Sequence, residues 1–153
     1  GGRGGGGAPL PVHAYNTLIG ALGRKGEWAR AQAVLISMVQ IGHHPDAVTY
    51  NTLIYTMGRL GQWRRAEAIL KNMHSTDHRP TAVTFGALID AYTRGEQWQL
   101  LKTVPAQMAE AGLEVDGLTF RKLAEAFARA GQWPMAEAVL REMEAAGQAV
   151  RGQ

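Results

Sequence analysis

Residues 15–38 read YNTLIGALGRKGEWARAQAVLISM, and the spacing of their apolar side chains decides the fold. Tyr15, Leu18, Ile19 and Leu22 recur at helical spacing and mark one buried face, after which the run Gly23 to Gly26 breaks the helix. Trp28, Ala31, Leu35 and Met38 follow in steps of three, four and three, which places all four on one side of a second helix. Gly42 and Pro45 stop that helix. The result is a pair of short helices whose apolar faces the pair cannot bury alone.

The same unit returns every 35 residues along the chain. Trp28, Trp63, Trp98 and Trp133 form one column, and Met38, Met73, Met108 and Met143 a second. Tyr15, Tyr50, Phe85 and Phe120 form a third, Leu18, Leu53, Leu88 and Leu123 a fourth, and Arg24, Arg59, Arg94 and Arg129 a fifth. The repeats run 12–46, 47–81, 82–116 and 117–151 without insertion. Pairs of this kind stack on their neighbours, so the expected architecture is all-α: a right-handed solenoid of eight helices in helix-turn-helix repeats. Residues 1–11, GGRGGGGAPLP, are of low complexity and read as a flexible tail.

The third repeat departs from the pattern twice. Pro105 stands where the others carry Leu35, Leu70 and Leu140, and a proline inside a helix removes a backbone bond and clashes with the preceding turn, which predicts a kink or short break. Glu96 stands where the others have Gly26, Gly61 and Gly131, and the adjacent Gly95 is expected to make the turn instead.

With 46% apolar and 19% charged residues the chain can pack an interior. The formal charge of +3 is too mild to indicate a polyanion ligand by itself. No cysteine is present, which removes disulfides, thiolate metal sites and a thiol nucleophile. No apolar run approaches the ~18 residues that cross a bilayer, so membrane insertion is not expected. The first residue is Gly1 rather than Met, which leaves any targeting segment unread. The sequence holds no phosphate-cradling glycine loop, nucleophile elbow or paired catalytic carboxylates. No cofactor or metal is implied, and the chain is expected not to be an enzyme, with no appended nuclease or deaminase-like domain after the fourth repeat. His43, His44, His74 and His78 are expected to be solvated.

The segments PDAVTYNTLI at 45–54, residues 15–38 quoted above, and the endings AEAILKNM and AEAVLREM closely resemble the pentatricopeptide repeat over residues 12–151. The tetratricopeptide repeat differs in carrying its Trp early in the first helix, whereas here Trp opens the second. The resemblance implies a module that binds single-stranded RNA in an organelle, mitochondrion or chloroplast, for RNA processing, stability or translation, at one base per repeat. It also implies that the fifth and last residues of each repeat read the base. These are Asn16 with Asp46, Asn51 with Thr81, Gly86 with Asp116, and Arg121 with Arg151. An Asn amide offers a donor and an acceptor on a short stem, suited to a pyrimidine edge, and pyrimidines are expected in the first two repeats. Gly86 has nothing to read with, and Arg121 is long for the position. By the same resemblance His13, Val48, Val83 and Leu118 clamp each base, and Arg24, Arg59, Arg94 and Arg129 approach phosphates, although a cation in the last turn of a helix is favoured without any ligand. The alternative is a scaffold subunit that grips protein or folded RNA in a larger assembly such as an organellar ribosome. The Trp and Met columns read as core packing. Apolar surface is expected at both ends of the stack, at the C-terminal end around Leu140, Met143 and Val150.

Overall fold

A computed structural model describes residues 10–151, with side chains placed as far as Gly147. The tail at 1–9 and the side chains of Val150 and Arg151 lie outside the described residues. Among the described residues the secondary structure is helical: α1 (Val12–Arg24), α2 (Trp28–Gln40), α3 (Ala47–Arg59), α4 (Trp63–Ser75), α5 (Ala82–Arg94), α6 (Trp98–Leu101), α7 (Val104–Glu110), α8 (Gly117–Arg129) and α9 (Trp133–Arg151). Nine segments take the place of eight helices because the second helix of the third repeat is broken. Pro105 sits in the first turn of α7, where a missing N–H costs nothing, and the turn at Lys102 and Thr103 separates α7 from α6. None of these helices is long and apolar enough to cross a membrane.

The first helices of the repeats, α1, α3, α5 and α8, have 13 residues each and begin at 35-residue steps. Each packs on the next, while α2, α4 and α9 pack against the first helix of their own repeat. The close approach of α3 to α5 needs a residue without a side chain: a Cβ on Gly58 would lie 2.5 Å from the Ala87 carbonyl oxygen. Asp46 and Thr49 staple the start of α3. The Asp46 carboxylate accepts from the Thr49 backbone N–H at 2.9 Å, and the Thr49 hydroxyl accepts from the Asp46 N–H at 3.1 Å. Asp116 accepts from the Thr119 N–H at 2.8 Å and caps α8 in the same way.

The apolar columns are buried between repeats rather than within them, and this explains where the expected buried faces hold. Met38, Met73 and Met108 are fully buried, as are Ala31 and Ala66. Leu53, Leu88 and Leu123 are 1% exposed, but Leu18, their equivalent in the first repeat, is 47% exposed. Leu53 packs with Ile19, Ala31 and Met38 of the preceding repeat, and among the described residues Leu18 has no such neighbour. At the other end Trp133 is 60%, Leu140 46% and Met143 39% exposed. Trp63 tilts against Tyr92 of the following repeat at 6.3 Å between ring centres, and Trp98 against Phe127 at 6.5 Å. The Trp column therefore joins repeats, half-buried, rather than sitting in the deepest core with Ala31 and Met38.

Two expectations are corrected. Gly95 does not make the third repeat's turn: Glu96 itself takes the left-handed conformation, at φ 54°, like Gly26, Gly61 and Gly131. The reason is steric. Gly95 is committed to the approach of Trp63, whose Cδ1 would stand 2.5 Å from a Cβ there. Nor are all the turn histidines solvated. His43 and His78 are half-buried and pack on Tyr15 and Tyr50, with ring centres 5.6 and 5.2 Å apart, whereas His44 and His74 are exposed.

Candidate nucleic-acid interface

Because the first helices stack side by side, a residue at one position in each recurs along a common face. A cleft of about 650 Å³ opens on this face between α1 and α3, and its lining includes Asn16, Asn51, Arg24, Arg59, Tyr55 and Val83. A smaller recess of about 240 Å³ follows between α5 and α8, lined by Val83, Gly86, Asp116, Leu118 and Lys122 among others, with Tyr55 on the rim of both.

Asn16 is held most firmly. Its Nδ2 donates to Asp46 Oδ1 at 3.1 Å, and the Thr49 hydroxyl donates to its Oδ1 at 2.5 Å. The amide can face only one way, since a carboxylate accepts and never donates. Thr49 is fully buried and Asn16 is 8% exposed, so the amide is fixed with one N–H and one lone pair still free. Burial pushes the Asp46 carboxyl up, but hydrogen bonds from the backbone amide of Thr49 and the side-chain amide of Asn16 outweigh it and hold the group below the ordinary carboxylate range. Asp46 is thus charged at neutral pH, both capping α3 and orienting Asn16.

The second repeat keeps half of this set. The Thr84 hydroxyl donates to Asn51 Oδ1 at 2.5 Å and accepts from the Thr81 N–H at 3.0 Å, so the Asn51 amide is oriented by its carbonyl while its nitrogen stays available. In the third repeat Asp116 and Thr119 recur, and the Thr119 hydroxyl and amide hold the Asp116 carboxyl low, but Gly86 offers no side chain for them to orient. Arg121 of the fourth repeat is exposed on α8. The column Thr49, Thr84 and Thr119 was missed in the sequence. Its signal was a threonine three residues after each N-cap, a position from which a capping hydroxyl can also reach back to the previous repeat.

Val48, Val83 and Leu118 stand in the first turn of their helices and are 58%, 71% and 61% exposed. His13 is exposed at the equivalent place in α1. Three branched apolar side chains held in solvent beside the amides are a cost to the free protein that a flat, apolar ligand surface would remove. Arg24, Arg59, Arg94 and Arg129 close the four first helices and are all exposed. Arg59 Nη1 donates to the Tyr55 hydroxyl at 3.1 Å, which steers it along the cleft. Among the described residues no three His, Asp or Glu gather to hold a metal.

The stack thus carries oriented amides in its first two repeats, exposed apolar side chains at Val48, Val83 and Leu118, and one exposed arginine per repeat, the arrangement of a modular helical-repeat solenoid. The chain belongs to the PPR repeat family: residues 11–59 and 45–94 match that family, and residues 119–148 match the PPR repeat. Among solved structures it is similar to the pentatricopeptide repeat protein PPR10 in complex with an 18-nt psaJ RNA element, with 26% identity and a TM-score of 0.81 over 95% of this chain and 21% of that one. The crystal structure of the pentatricopeptide repeat protein PPR10 from maize gives 26% identity and a TM-score of 0.80 over 96% of this chain and 21% of that one. The PPR domain of Arabidopsis thaliana protein-only RNase P 1 in complex with tRNA gives a TM-score of 0.73 at 15% identity over 90% and 72%, a likeness of fold alone. The chain spans about a fifth of the length of PPR10. No curated protein matches it in sequence.

Proposed function

We propose that this chain is an RNA-binding module that takes a single strand along the face formed by α1, α3, α5 and α8, in support of RNA processing, stability or translation in an organelle. The observation that carries the reading is the Asn16, Asp46 and Thr49 network, repeated in part by Asn51 and Thr84. Each fixes an amide with free donor or acceptor capacity, which suits the edge of uracil or cytosine. The exposed Val48, Val83 and Leu118 then pack against base faces, and the arginines meet phosphates, one per nucleotide. PPR10, the relative at 26% identity, is bound to RNA in its structure. Four repeats contact about four nucleotides, and at ~1–3 kcal/mol per base little remains after the cost of association, so affinity is modest.

A scaffold role in a larger assembly draws support from the apolar end faces at Leu18 and at Trp133, Leu140 and Met143. The two readings separate in a titration of pyrimidine-rich and adenine-rich strands by fluorescence anisotropy. Under the RNA reading Arg59→Ala weakens both strands alike and lowers the salt slope by about one, while Asn51→Ala erases the pyrimidine preference. Equal binding of both strands, unchanged by either substitution, favours the scaffold.

A further inference from the structure

The space that Gly86 leaves on α5 is filled from the next repeat. Lys122 of α8 reaches across, its Nζ donating to the Gly86 carbonyl oxygen at 3.3 Å and pairing with Asp90 Oδ1 at 3.4 Å. A Cβ on Gly86 would lie 3.4 Å from that nitrogen. The ammonium thus stands in contact with the place where a side chain at position 86 would begin, and the lysine remains 36% exposed. In the first and second repeats the corresponding places belong to the amides of Asn16 and Asn51, and the residues in register with Lys122 are Thr52 and Ala87, too short to reach the preceding helix in this way.

We propose that Lys122 is the base-contacting group of the third repeat, lent by the fourth, and that with Asp116 it selects a keto base, uracil or guanine. This rests on the RNA-binding reading above. An ammonium has three donors and no acceptor; the Gly86 carbonyl and Asp90 engage two, leaving one for a ligand. Asp116 lines the same recess and, ionised, only accepts. A donor beside an acceptor matches a ring edge on which a carbonyl adjoins an N–H. Uracil and guanine present that edge, whereas adenine and cytosine place an amino group against the ammonium. Val83 and Leu118, exposed on either side of the recess, supply the apolar walls.

The test uses two sets of short RNAs, one with uridine facing the first two repeats and each of the four bases at the third, the other with adenine in place of uridine at the first two positions, in both strand orientations, titrated by anisotropy at one fixed salt concentration. The parent chain is expected to bind the guanine and uracil strands about five- to tenfold more tightly than the adenine and cytosine strands. Lys122→Met, which keeps the aliphatic stem and so the packing, brings the four within about twofold while the preference for uridine at the first two positions remains. Circular dichroism of the variant, matching the parent, establishes that the fold is kept, and Lys122→Ala provides a second variant. An equal loss for all four strands would make Lys122 a phosphate contact and overturn the proposal. Discrimination at the first two positions with none at the third overturns it and leaves the RNA reading standing; a parent chain that discriminates nowhere overturns both.

Discussion

Trp63→Ala tests whether repeats are joined through the tryptophan column. Trp63 is half-buried, tilted against Tyr92 at 6.3 Å and seated on Gly95 of the following repeat. A buried aromatic removes about 150–250 Å² from water. Half of that at ~25 cal/mol per Å² gives about 2–3 kcal/mol, and the loss of the ring pair with Tyr92 adds about 1. The expected cost is therefore about 3–4 kcal/mol, in the lower part of the range for truncating a packed tryptophan. Trp133 occupies the same position in the fourth repeat but is 60% exposed, so Trp133→Ala is expected to cost under ~1 kcal/mol. Urea denaturation followed by circular dichroism measures both, compared as midpoints because repeat arrays need not unfold in two states. A Trp63→Ala cost below ~1 kcal/mol, or equal costs at both sites, would refute burial between repeats.

Three further outcomes follow from local geometry. Glu96→Gly relieves a non-glycine residue at φ 54° and is expected to raise stability by about 1 kcal/mol in the same denaturation; a decrease would mean that Glu96 makes a compensating contact. Asp46 has its folded pKa below the ordinary value, so its contribution is present above about pH 4 and is lost as pH falls through the lower folded value. Melting temperature should decline on acidification below about pH 4, and less steeply in Asp46→Asn, which still caps a helix; identical profiles for the two proteins would contradict this. The apolar end faces are complementary in the way adjacent repeats are, so sedimentation should show mass rising with concentration, and Leu18→Lys or Leu140→Lys should suppress it; a parent chain that stays monomeric throughout contradicts the complementarity.

Much of the fold was legible because a 35-residue period exposes it: the Met column, the helix pairs and the break at Pro105 all follow from local pattern. What escaped depends on neighbours. Leu18 and Leu53 are the same residue in the same register, yet one is exposed and the other buried, because burial is conferred by the preceding repeat. Gly95 looked free to make a turn only because the approach of Trp63, 32 residues earlier in the chain, has no local signature. At the candidate site, Asn16, Asp46 and Asn51 could be named from their places in the repeat. Thr49 and Thr84 could not, because their hydroxyls serve a helix start and the previous repeat's amide together. Lys122 was hidden for the same reason: its partner Gly86 lies 36 residues back, in another repeat.

Whether RNA lies along the first-helix face is tested by photocrosslinking with a 4-thiouridine-substituted strand, followed by mapping of the modified peptides. Crosslinks are expected within α3 and the start of α5, around Asn51, Tyr55 and Val83, where the clefts open and the second and third bases would sit. Crosslinks confined to the outer helices α2, α4 and α9, or no crosslinking above that of an unrelated protein, would contradict it.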